Sequence, residues 1–184
     1  MRIVIYESSS NGGCFEYAKE LFKAYSLHPE VDHCVLLVPS PSNLNKKNIY
    51  KILFDDVLNT RNVILRKFYF LLRVVINPFI LFFFLIKKKE ETFVILNDFE
   101  QISAFVWVPF YRWFLGKHRF AVALHDPDRD DYPPSKSFSE YSMKMLLSIM
   151  DFGLYHESLP HKSYYNLDAK TIYLNVPHGI YSTA

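Results

Sequence analysis

Short apolar runs alternate with segments of helical periodicity along most of the chain, and this alternation limits the fold more than any other property. The runs are Arg2–Tyr6, Cys34–Val38, Thr92–Leu96, Phe120–Leu124, Phe152–Tyr155 and Thr171–Leu174. Each is short and almost wholly apolar, as a strand buried on both faces requires. Between them, Phe15, Ala18, Phe22 and Tyr25 recur at helical spacing. So do Ile102, Phe105, Val106, Phe110 and Trp113, and again Met143, Leu146, Leu147 and Met150. Asp98 with Gln101, and Ser137 with Glu140, have the spacing of a capping box and mark helix starts. The pattern predicts an α/β fold: a doubly wound, mainly parallel sheet with helices on both faces.

A chain of 184 residues fits one domain. The loop signals at Val38–Asn45 and Asp131–Ser135 are too short to divide it, so residues 1–184 are expected to form a single unit. Half the residues are hydrophobic, which excludes a disordered class. A net charge of +2 is too mild to imply a nucleic-acid partner. Cys14 and Cys34 are too few for a disulfide framework and suit a reducing compartment. The first residues read as a strand rather than a secretory signal. Thr171 to Gly179 reads as a strand running into a turn with no closing helix after it, so a partner half is expected.

From Asn62 to Lys89 the chain reads NVILRKFYFLLRVVINPFILFFFLIKKK. Three readings are open. A membrane span needs about 20 consecutive apolar residues, but Arg73, Asn77 and Pro78 interrupt, and the longest clean run is Phe79 to Ile86. Spanning would also set Met1–Val38 and Thr92–Leu174 on opposite sides of a bilayer and separate strands of one sheet. A second reading is a helix kinked at Pro78, packed on the sheet or on another copy. A helix apolar all round needs more cover than one sheet face supplies, however. The favoured reading therefore joins a packed inner face to an outer face at a membrane surface. Phe83 then meets lipid, and Arg66, Lys67, Lys87, Lys88 and Lys89 meet anionic phosphates.

The run Phe120–Leu124 leads straight into His125-Asp126-Pro127. Open α/β sheets bind ligands outside the carboxyl ends of their strands, so His125 and Asp126 are candidate catalytic residues. The alternative is that Asp126 shapes the turn before Pro127 and His125 is a rim residue. Asn11-Gly12-Gly13, after the first strand, is a candidate phosphate loop opening a helix. It lacks both the G-x-G-x-x-G pattern and a Walker lysine, and a plain turn explains it as well. Glu157 and Ser158 follow the fifth strand, and His178 follows the last; Ser158 is alternatively a helix N-cap. Asp126, Asp128, Asp130 and Asp131 lack the EF-hand glycine and terminal glutamate, so no metal site is expected. His118 and His161 read as surface residues.

Taken in order, Ile3–Tyr6, Gly12-Gly13, Ala123 to Pro127, Tyr155 to Ser158 and Val176 to Gly179 resemble the N-terminal half of GT-B glycosyltransferases. They look most like the retaining, nucleotide-sugar-dependent group called family 4. The resemblance implies a Rossmann-like domain that binds the acceptor and faces a second domain holding the donor. It implies Gly12 and Gly13 near the donor phosphates, His125 and Asp126 beside the transferring sugar, and Asn11, Glu157, Ser158 and His178 toward the acceptor. It further implies a nucleotide-sugar co-substrate without cofactor or metal, and a glycan or lipid-linked acceptor. The expected location is the cytoplasmic face of the cell membrane, with peripheral attachment. The donor-gripping domain is absent from these residues, so the isolated half is expected to be inactive. A non-catalytic Rossmann-like module that docks a membrane or a partner protein is the competing reading. A flavodoxin-type domain is weakened by the lack of an aromatic-flanked, Ser/Thr-rich first loop.

Overall fold

Ile3 to Tyr6, Cys34 to Val38, Val94 to Leu96 and Phe120 to Leu124 are all buried, as strands covered on both faces must be. The computed structural model describes residues 1–40, 47–54, 63–126, 135–156, 158–162, 164–165 and 170–176. In chain order these form β1 (Arg2–Glu7), α1 (Gly12–Leu27), β2 (His33–Pro39), β3 (Ile49–Leu53), α2 (Val63–Ile86) and β4 (Phe93–Asp98). There follow α3 (Ala104–Tyr111), β5 (Arg119–Leu124), α4 (Lys136–Leu147), β6 (Phe152–Tyr155) and β7 (Ile172–Asn175). The strands make one sheet in the order β3-β2-β1-β4-β5-β6-β7, with every pairing parallel. This is the expected doubly wound, Rossmann-like α/β fold. The strand order reverses between β1 and β4, and in open α/β sheets ligands bind beyond the carboxyl edge at such a point.

Both faces carry helices, unequally. On one face α1 sets Phe15 and Ala18 over Ile3, Ile5, Leu36 and Ile95. On the other, Leu81 and Leu85 of α2, Trp107 and Val108 of α3, and Met143 and Leu146 of α4 cover Val4, Tyr6, Val94, Leu96 and Val122.

Several local expectations need correction. β3 was not expected; its alternating half-exposed pattern is that of an edge strand, and its short run is hidden behind a polar loop. It begins after Asn48, whose φ of +68° places it in the left-handed region that asparagine tolerates. The cap of α4 is Ser135, whose hydroxyl accepts from the Phe138 N–H at 3.2 Å, rather than Ser137. Asp98 ends β4 and caps nothing. In α3 the expected inward set was Ile102, Phe105, Val106, Phe110 and Trp113, yet Phe105, Phe110 and Trp113 are exposed. Ala104, Trp107, Val108, Tyr111 and Phe114 are buried instead. The segment is apolar on every side, so periodicity alone allowed two registers. Polar tips decide between them: Trp107 Nε1 donates to Glu100 O at 3.2 Å, and Tyr111 Oη donates to Pro78 O at 2.6 Å. His118 is buried against Phe114, with ring centroids 5.3 Å apart, and burial lowers its pKa. It is no surface residue.

Helix α2 is long and apolar enough to cross a membrane, but it joins β3 to β4 of one sheet. Its 24 residues run about 36 Å, against about 20–23 Å for the six- and seven-residue central strands. Arg73 and Asn77 meet the ends of β4 and β3, so Val63 to Leu72 project past the carboxyl edge of the sheet. Asn77 is fully buried; it donates to Phe54 O at 2.8 Å and accepts from Phe54 N–H at 2.7 Å. Pro78 deprives the Val74 carbonyl of its helical donor, and the Ser103 hydroxyl donates to that carbonyl instead. Ile64, Phe68, Leu71, Val75, Phe79, Phe83 and Ile86 form an apolar stripe along α2, in which Val75 and Phe79 are half-buried, Phe79 against Phe110 with ring centroids 5.2 Å apart. Ile64, Phe68, Leu71, Phe83 and Ile86 are exposed. Arg66, Lys67, Lys87 and Lys89 are exposed near its two ends, and Lys88 lies over the Phe84 ring at 4.4 Å.

Candidate functional site

Side chains alternate across a strand, so the α1-facing series of β1, β4, β5 and β6 continue past their apolar parts to Glu7, Asn97, His125 and His156. These four form a polar row across adjacent strands at the carboxyl edge, beneath the first turns of α1. Asn97, fully buried, ties the row together. Its Nδ2 donates to Glu7 Oε2 and, at 2.8 Å, to the Cys14 carbonyl in α1. That assignment makes Oδ1 the acceptor for His125 Nε2–H at 3.0 Å. In the neutral imidazole, the lone pair then belongs to Nδ1. Tyr17 of α1 sets its ring edge-on to both His125 and His156, each at 5.0 Å, and the two imidazoles are 5.3 Å apart. His156 Nδ1 is 2.8 Å from Val176 O.

Glu7 is fully buried, and its Oε1 accepts from Ser9 N–H at 2.8 Å. Burial, followed by the charge of Asp98, pushes its pKa up to about 8. A neutral carboxyl therefore lies at the root of the first loop near pH 7.

A second polar group occupies the other side of the same edge. Asp98 Oδ2 accepts from Ser9 Oγ at 2.6 Å, Ser8 Oγ at 3.2 Å and Arg73 Nη2 at 3.0 Å. Arg73 also donates to Ser8 Oγ at 2.9 Å. Beside them Glu100 Oε2 accepts from Tyr6 Oη at 2.7 Å. Burial pushes the Glu100 carboxyl up to about 8 as well, so the 3.9 Å approach of Arg73 Nε becomes an ion pair only above that pH. Asp98 is the anion that holds Arg73 in place.

His125 is half-buried and Asp126 is exposed just beyond it. Through Asn97 and Tyr17, His125 stands against the opening of α1, on the side where Gly12 and Gly13 lie. Gly12 has φ +85°, a conformation that suits glycine, and a Cβ added at either glycine would meet nothing within 4 Å. Among the described residues no acid occupies the first turn of α1, and Asn11 makes no side-chain cap. The amides of that turn are therefore suited to an anion. Ser158 lies exposed in irregular chain after β6 and starts no helix among the described residues. Glu157, His178, Asp128, Asp130 and Asp131 lie outside the described residues. No group of three His, Cys, Asp or Glu side chains has metal-binding geometry among the described residues.

Glu7, Asn97, His156, Arg73, Asp98 and Glu100 were not singled out from the sequence as site residues. The signal was available for the first three: each continues the inward parity of its strand past the last apolar residue.

Comparisons with protein-family models, with curated proteins and with solved structures find no match to this chain. What the fold and site define is a Rossmann-like α/β protein with a polar row at its topological switch point.

Proposed function

We propose that this chain is the acceptor-side domain of a GT-B-type glycosyltransferase working at a membrane surface. It would pass a sugar from a nucleoside-diphosphate sugar to a glycan or lipid-linked acceptor. One observation carries the reading: His125, oriented by Asn97, and the open Gly12-Gly13 turn share the switch-point edge through contacts with a single helix. Backbone amides at the start of α1 would take the donor phosphates, and His125 would lie beside the sugar. The Glu, seven residues, Glu pattern of the family's donor domain does not occur in the sequence. On this reading the chain alone binds ligands but does not turn them over. The outward stripe of α2 would hold it peripherally, on the cytoplasmic side of the membrane, with Arg66, Lys67, Phe83, Lys87, Lys88 and Lys89 in contact.

The test is an NMR titration of the 184-residue protein with UDP-glucose and GDP-mannose. Shifts at the Gly12 and Gly13 amides and the His125 ring are expected with dissociation constants of about 1 mM or above, and Gly12→Val abolishes them. Silence of all three at about ten times that concentration overturns the reading. The α2 stripe separately favours a second reading, a non-catalytic module that docks a membrane. Vesicle binding without any nucleotide-sugar shift supports that one.

A further inference from the structure

At the foot of the projecting part of α2, a cleft of about 170 Å³ opens between that helix and the chain after β4. Among the described residues its walls include Phe70, Arg73, Asp98, Phe99, Glu100 and Gln101. Two of these side chains, Glu100 and Gln101, are more than nine-tenths buried. Each has an Oε1 with no hydrogen bond, although the opposite ends are fully used: Tyr6 Oη donates to Glu100 Oε2, and Gln101 Nε2 donates to Ser139 O and Oγ at 3.1 Å. Buried polar atoms are normally satisfied, and two residues lining the same cleft each keep one buried oxygen without a hydrogen bond; a ligand in the cleft satisfies them once these side chains turn toward it.

The cleft's character limits what that ligand is. Arg73 is the one cation among the walls named, and Asp98 already neutralises it at 3.0 Å. A second anion would meet carboxyl groups rather than an uncommitted positive charge, so a phosphate headgroup is disfavoured. Hydroxyl groups, which donate and accept, fit the mixture of amide, carboxyl and guanidinium. The aromatic walls Phe70 and Phe99 suit the C–H face of a sugar ring. Phe70 is also exposed and belongs to the apolar projecting segment that includes Ile64, Phe68 and Leu71. A chain leaving the cleft along this helix would run over apolar surface.

We infer that this cleft seats the uncharged, hydroxylated head of an amphiphile, whose apolar tail lies along the projecting turns of α2. The inference deepens the acceptor-side reading by naming the acceptor's class, and it rests on that reading only for what happens after binding.

The experiment titrates the 184-residue protein with octyl β-D-glucopyranoside below its micelle concentration, following the Gln101 side-chain amide and Arg73 Nε–H by NMR. Both resonances should shift. Free glucose should shift them only at roughly tenfold higher concentration, since it lacks the tail's burial. Octyl phosphocholine should leave them unmoved. Ile102→Trp, which fills the cleft, should abolish the response, and exposed Phe70→Ser should weaken it several-fold without unfolding the protein. Equal response to the phosphocholine amphiphile, or no response to the glucoside, overturns the inference. Nucleotide-sugar shifts at Gly12 with a silent cleft would sink this inference alone. Cleft shifts with no nucleotide-sugar binding would sink the transferase reading alone.

Discussion

The outward stripe of α2 makes a quantitative claim about membranes. Phe68 and Phe83 are 54% and 59% exposed and lie 15 residues apart, about 22 Å along the helix. A phenylalanine side chain offers roughly 200 Å², so each presents roughly 110–120 Å² to its surroundings. At about 25 cal/mol per Å², moving either into lipid is worth about 3 kcal/mol. Phe68→Ser and Phe83→Ser should therefore each weaken vesicle binding by about 100-fold. Neither supports the core, so both variants should remain folded. Trp113 provides the readout: it is 83% exposed and follows by three residues Phe110, whose ring packs on Phe79 of α2 at 5.2 Å, whereas Trp107, the other tryptophan, is buried. Binding to vesicles containing phosphatidylglycerol should shift the Trp113 emission to the blue, and brominated lipid should quench it. Reversing Lys87 or Lys89 to Glu should cost about a further 1 kcal/mol or more on the same vesicles. Equal losses at Phe68 and Phe83 mean that the helix lies flat. Loss at Phe68 alone would mean that only the projecting end touches lipid, and no loss at either would refute membrane contact through α2.

Ser103→Ala should cost about 1–3 kcal/mol in urea unfolding, because it strands the Val74 carbonyl that Pro78 cannot serve. In a Pro78→Ala background the helix supplies its own donor, so the serine's contribution should shrink; strict additivity of the two changes would refute this account. The buried carboxyls Glu7 and Glu100 set a pH dependence. Both hold protons in the folded state up to about pH 8, whereas the unfolded chain releases them near 4.5. Their stabilisation is complete below 4.5 and is lost as pH rises through that window, by up to about 1.4 kcal/mol per pH unit for each group. Urea midpoints should fall from pH 5 to 8, and Glu100→Gln, which keeps a neutral acceptor for Tyr6, should flatten the slope; a midpoint that rises over this range would contradict it.

The central strands were legible because burial on both faces leaves a plain apolar signature; β5 runs from Arg119 to Leu124, one residue longer than expected, and is buried from Phe120 onward. Helical registers were legible only where one side is polar. The set from Met143 to Met150 in and after α4 is buried as the pattern required, whereas α3 turned its expected core stripe outward because every side of it is apolar. The site divided along similar lines. His125 stood out because a histidine and an aspartate directly follow an apolar run. Glu7 and Asn97 did not, because their one signal, the inward parity of the strand, acquires meaning only once the strand's faces and end are fixed. Arg73 was hidden for another reason: it looked like a break in a hydrophobic segment, and its partner Asp98 lies 25 residues away and joins it only once β4 is placed.

The interruptions of that segment explain what kind of helix α2 is. An ordinary crossover helix packs apolar residues on the sheet and sends polar ones to water. Between Phe68 and Ile86 the only charged or amide side chains are Arg73 and Asn77, and both point inward, to Asp98 and to the Phe54 backbone. Pro78 is buried with them, its neighbouring carbonyls taken up by Ser103 and Tyr111. The polar features thus fasten the helix to the sheet, while the outward surface is left to phenylalanine, leucine and isoleucine. Exposed aromatic and aliphatic side chains at both ends of a stretch about 33 Å long, with basic residues near each end, are costly in water. A spanning helix would have no use for inward tethers to two strands of one sheet, and a plain core helix would not face Phe68 and Phe83 outward. The lipid-surface placement proposed for α2 would use both the tethers and the outward rings.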